Sequence, residues 1–141
     1  MNVSVALLAG VLGTIVMTML MLIGPRMGMP KMDMPGMLGT MVAPPGAAAQ
    51  ALGGVMHLVM GAIVAIFYAL AWSWGLGSPN WAGGGLLGLA HGVVAAILMP
   101  VMTRMHPRNP ESAGGAMTVV GILMGHLVFG LVVAWVYGAL A

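Results

Sequence analysis

The chain has no cysteine and almost no charge. The first absence excludes disulfides, thiolate metal sites and thiol nucleophiles. The second is more informative. Only six of 141 side chains are charged, Arg26, Lys31, Asp33, Arg104, Arg108 and Glu111. A soluble domain of this length carries about a quarter of its residues charged, so water is not the main surrounding. The four basic residues, offset by two acidic ones, form no continuous basic surface, and nucleic acid is not expected as a partner. No enzyme signature of the usual kinds is present, and catalytic activity of the chain's own is not expected.

What is present is apolar length. Hydrophobic residues are 61% of the chain, and four stretches reach the roughly 20 residues needed to cross a hydrocarbon core of about 30 Å. They lie near Val3 to Ile23, Ala51 to Trp72, Trp81 to Thr103 and Met117 to Leu140. The Gly and Ala content and the lack of strand alternation point to helices, which satisfy their own backbone groups, rather than to a barrel. The expected fold is an all-α, four-helix transmembrane bundle in a single domain, residues 1–141. MNVSVALLAG has no basic leader region, and no small-residue cleavage pattern follows, so the first span is expected to be retained.

The charges gather around two connections, Arg26, Lys31 and Asp33 in 24–50 and Arg108 and Glu111 in 106–115 with Arg104 just before it, whereas 73–80 has none. The positive-inside rule then puts those two connections in the cytoplasm and both termini on the outer side.

The second half echoes the first. HLVMGAIVAIFYAL from His57 aligns with HLVFGLVVAWVYGAL from His126, matching His57 to His126, Gly61 to Gly130, Ala65 to Ala134 and Tyr68 to Tyr137. Spans one and three align more weakly, through Gly10 with Gly88 and Arg26-Met27 with Arg104-Met105. The expected organisation is two tandem helical hairpins, about 1–72 and 81–141, related by an axis along the membrane normal. Such an axis would bring His57 and His126 to equal depth. His91 has no counterpart in the first half and breaks the symmetry.

Neutral imidazole ligates haem iron, copper and zinc. One reading of the pair is therefore bis-histidine ligation of haem b by His57 and His126, with Gly61 and Gly130 clearing space for the macrocycle. A mononuclear Cu, Fe or Zn site would add His91 as a third ligand. The plainer reading is interhelical hydrogen bonding to hydroxyls such as Thr14, Thr18 and Thr118. Conduction of protons, metal ions or a substrate is a third.

Residues 26–37, RMGMPKMDMPGM, hold five of the chain's 17 methionines, an enrichment that makes Met29, Met32, Met34 and Met37 candidate thioether ligands for Cu(I). The alternative is an amphipathic, partly interfacial packing segment, since methionine fills irregular gaps elsewhere in the chain. Asp33 in the same segment is either a helix N-cap or ion-pair partner of Lys31 or Arg26, or a ligand or supporting group at the cytoplasmic mouth.

KMDMPGMLGT at 31–40, HLVMG, HLVFG and the GLAHG of 88–92 together resemble a group of small, uncharacterised four-helix bacterial membrane proteins. The resemblance implies a bacterial inner-membrane location and lends no mechanism. The functional expectation is a small multi-pass membrane subunit with a candidate intramembrane histidine site, in a homo-oligomer or as an accessory subunit of a larger redox complex. A purely structural or assembly subunit and a small oligomeric transporter are the alternatives.

Overall fold

A computed structural model describes residues 1–108 and 115–141; Glu111, counted above among the loop charges, lies outside them. The described residues form five α-helices and no strand: α1 (Val3–Ile23), α2 (Met34–Val42), α3 (Ala47–Ser73), α4 (Trp81–Met105) and α5 (Ala116–Leu140). All but α2 are long and apolar enough to cross a membrane. They coincide with the four spans expected from hydropathy, with α3 starting four residues earlier, at Ala47. The fifth helix, α2, lies outside the four expected spans and starts at the Asp33 N-cap that was one of the readings of that residue.

Local signals set the helix ends. Asn2 and Asn80 accept from the backbone N–H groups of Val5 and Gly83 at 3.2 and 2.9 Å, capping α1 and α4. A 3-10 turn, Gly24–Met27, continues α1 and stops at Gly28, whose φ of 84° is left-handed and suits glycine. Asp33 opens α2 by accepting from Gly36 N–H at 2.8 Å.

α1 packs against both α3 and α5, α4 packs on α5, and α2 lies against α3. The Asn2 N–H donates to the Tyr137 hydroxyl at 2.9 Å, which joins the start of α1 to the last turn of α5. The 73–80 connection is at that same end, with Pro79 against Gly138. The 3-10 turn, α2 and His106 occupy the opposite, loop end.

In a lipid-like surrounding, helices gain little from burying apolar surface against one another and rely on close backbone packing. Two crossings provide it. α1 meets α3 at Gly10 and Gly61, where a Cβ on Gly10 would stand 2.6 Å from Ala62 Cα. α5 meets α4 at Gly130, where an added Cβ would stand 2.7 Å from Gly88 Cα. Between these seams lies a small-residue and aromatic core in which Ala6, Ala9, Ala65, Phe129, Val133 and Ala134 are almost fully buried. Tyr68 joins its aromatic members, with ring centroids 5.8 Å from Phe129 and 6.0 Å from Trp72.

Gly130→Ala should destabilise the bundle by about 1–3 kcal/mol, because the new methyl meets backbone that has no rotamer to move. Gly54, with open space where its Cβ would be, is the control: Gly54→Ala should be neutral or stabilising by up to about 1 kcal/mol. Thermal unfolding in mild detergent measures both, and equal effects would disprove the crossing argument.

Candidate functional site

The three intramembrane histidines are each fixed through Nδ1. Thr18 Oγ1 donates its only proton to Thr14 O at 2.7 Å, so at its 3.3 Å contact with His57 Nδ1 the imidazole is the donor. The Tyr68 hydroxyl likewise donates to Leu87 O at 3.0 Å, which leaves His91 Nδ1–H to donate weakly to the phenol oxygen at 3.4 Å. His126 Nδ1–H donates to Ile122 O at 2.7 Å. These assignments follow from the hydrogen-bond network. With Nδ1–H committed, Nε2 of each neutral ring is an acceptor.

His126 is the centre of the group. Its ring meets that of His91 edge to face, with centroids 4.4 Å apart. Glycine makes the close contact feasible: a Cβ on Gly92 would be 3.1 Å from His126 Cβ. His57 and His126 are buried, at 6% and 9% exposure, whereas His91 is half-buried.

This geometry alters the sequence-based expectations. The close ring pair is His91 with His126, across the α4–α5 seam, rather than His57 with His126. The clearance beside Gly61 and Gly130 that a haem between them would need is already taken. Thr14 Oγ1 fills the position of a Gly61 Cβ, and Gly84 O and Gly88 fill that of a Gly130 Cβ. A three-histidine metal centre is not formed either, since the described residues contain no group of three or more His, Asp or Glu placed to hold a metal ion.

The methionine segment turns out to belong to the same region. α2 folds back over the loop end and is held there by polar contacts from three directions. Gln50 Nε2–H donates to Asp33 Oδ1 at 2.8 Å, so the carboxylate serves as N-cap and as a tie to α3. His106, only 5% exposed, donates from Nε2 to Met37 O at 2.9 Å and accepts at Nδ1 from Arg108 N–H at 3.1 Å. The Arg108 guanidinium also donates to Thr40 O. Nothing in the sequence pattern distinguished His106 from an ordinary loop residue. Its role depends on α2, whose position is a tertiary fact.

Beneath α2 is a half-open chamber of about 520 Å³. Met21, Met32, Met34, Met37 and Met99 line it, with His126, Thr118, Gly121 and Gly125 of α5, and the exposed Lys31 and Asp33 stand at its rim. Three of the four candidate thioether residues therefore reach the same space as His126. Met29 does not: its methyl and that of Met32 pack over α5, 3.2 and 2.8 Å from where a Gly121 Cβ would be.

Thr118 is the anomalous group in the chamber wall. The other four threonines each donate to the carbonyl four residues back, Gly10, Thr14, Gly36 and Met99. Thr118 stands in the first turn of α5, so the residue four back precedes the helix. Its hydroxyl oxygen is buried with no hydrogen-bond partner among the described residues. Trp72 Nε1, in the aromatic core toward the other end, is the second such atom.

A buried hydroxyl without a partner costs about 1–3 kcal/mol. In ligand-free, delipidated protein, Thr118→Val should therefore be neutral or raise the unfolding free energy by about 1 kcal/mol, read as a higher Tm in detergent. A clear loss of stability would mean that the hydroxyl has a structural partner.

Among curated proteins and solved structures, none matches the chain. The model of a family of unknown function, DUF6789, matches residues 1–141, and the chain belongs to that family.

Proposed function

We propose that the protein is a small integral membrane subunit that holds a non-covalently bound, cofactor-sized ligand at the loop end of its bundle, with His126 in the wall of the site. The observation that carries this reading is the chamber itself: about 520 Å³ of space lined by five methionines among small and polar residues, with a buried hydroxyl in its wall that has no partner among the described residues. Ligand sites are concave and largely apolar, with a few placed polar groups, and an orphaned buried hydroxyl is unfavourable until something binds to it. The role in this reading is holding rather than turnover, as expected of an accessory subunit in a larger membrane complex.

A second reading has support from the donor set. Thioether sulfur and the His126 Nε2 lone pair suit a soft ion such as Cu(I), and an Nδ1–H held by a carbonyl is the usual support of a ligating imidazole. Protein purified in mild detergent distinguishes the readings. The lead reading predicts a stoichiometric organic molecule in the solvent extract, lost in Gly125→Leu, which would put a bulky side chain into the chamber wall beside Met17. Stoichiometric copper, or a Soret band, would favour the metal or haem reading. Absence of all three would leave a structural subunit.

The proposal extends to architecture and sidedness. The crossings Gly10 with Gly61 and Gly88 with Gly130 join residues that correspond in the two halves of the sequence. This supports a tandem duplication of one helical hairpin. Arg26, Lys31, Arg104 and Arg108 all gather at the loop end, which favours a cytoplasmic location for that end and outward termini, in a bacterial inner membrane. Because the chain has no cysteine, single cysteines report without background. Cysteine at Ser78 should react with a membrane-impermeant maleimide in intact cells and cysteine at Lys31 only after lysis. The opposite pattern would invert the topology.

A further inference from the structure

The chamber has two polar anchors on one wall, and both belong to α5. Thr118 and His126 are eight residues apart, two turns and a rise of about 12 Å, with Ile122, Gly121 and Gly125 between them in the lining. The His126 ring leans back toward Thr118, because Nδ1–H is bonded to Ile122 O at 2.7 Å. That bond also settles what His126 offers a ligand: Nε2 accepts, so the matching ligand group is a donor. Thr118, 8% exposed and without a partner among the described residues, offers a hydroxyl that both donates and accepts.

The space between the anchors is lined by flexible thioethers. Met29 and Met32 cover the α5 backbone at Gly121, and Met17 covers it at Gly125. Thioethers pack favourably against aromatic ring edges and faces. Among the described residues, no Phe, Tyr or Trp side chain lines this chamber. A ring carrying oxygens at opposite ends, with a hydrogen bond of about 2.8 Å at each, suits two anchors set two turns apart on one helix.

We infer that the chamber binds a lipophilic hydroxyarene of the quinol class, one hydroxyl donating to His126 Nε2 and the opposite oxygen paired with the Thr118 hydroxyl. This rests on the proposed ligand-holding role and names the ligand's chemistry. The quinone form has only acceptor oxygens and would set one against the Nε2 lone pair, so the site selects the reduced form. Only binding is inferred, and no electron transfer is required of the protein.

The test is calorimetric titration of the delipidated full-length protein in detergent with three probes: a short-chain benzoquinol under anaerobic reducing conditions, the corresponding benzoquinone, and decanol. The quinol should bind with unit stoichiometry at least about tenfold more tightly than the quinone, the scale of one hydrogen bond exchanged for a lone-pair clash. Thr118→Val should weaken quinol binding about fivefold without lowering Tm, and Thr118→Ser should restore it. Equal binding of quinone and quinol, or decanol binding as tightly as quinol, would overturn the hydroxyarene assignment. If, in addition, an extracted molecule is still lost in Gly125→Leu, the ligand-holding role stands without it. No binding of any probe, with no extractable molecule, would overturn both.

Discussion

The close approach of helix backbones at glycine is the constraint on which the remaining structure depends. With apolar side chains facing outward along every long helix, burial of hydrophobic surface cannot hold the bundle together in lipid; dispersion contacts between closely fitted backbones must. The Gly10–Gly61 and Gly88–Gly130 crossings fix the rotation of α3 and α5, and with it the direction of the histidine one turn away on each. His57 is delivered to Thr18 of α1, and His126 to the space beside Gly92 and the ring of His91. The histidine cluster is therefore a by-product of the packing as much as a feature with its own demand.

A group of polar contacts between elements is concentrated at the loop end. Asp33, Gln50, His106 and Arg108 attach α2 to α3 and to the end of α4 through charge-assisted and neutral hydrogen bonds. Such contacts hold a short helix that could not persist alone, since nine residues fall below the length at which isolated helices are stable. Fixed in this way, α2 forms one side of a chamber whose other walls come from α1, α3, α4 and α5. That side brings the methionines of the loop to His126, and two sequence features that looked independent become one site.

The legibility of this protein from sequence varied with the kind of physics involved. Existence, type and length of the four long helices were readable because hydropathy over some 20 residues is a summed local quantity. Asp33 as an N-cap was readable for a similar reason, as Asp followed by Met-Pro-Gly at a helix start is a local signal. The partner of each histidine was not readable. Sequence symmetry suggested His57 with His126, but His91, the residue without a counterpart, is the one whose ring meets His126. Gly61 and Gly130 were read as space for a ligand, and the structure uses that space for Thr14 and for Gly84 with Gly88.

By itself, then, the sequence determined that the chain is helical, that four helices suit a membrane, and which few polar residues are placed among apolar neighbours. These follow from composition and periodicity along the chain. Only the tertiary structure decided that α2 turns back over the bundle, that His106 holds it, that Thr118 has no partner among the described residues, and that a thioether-lined chamber ends at His126. Each of these depends on helix rotation and crossing height, set by contacts between residues far apart in the chain, and a shift of one residue in any helix would change them all.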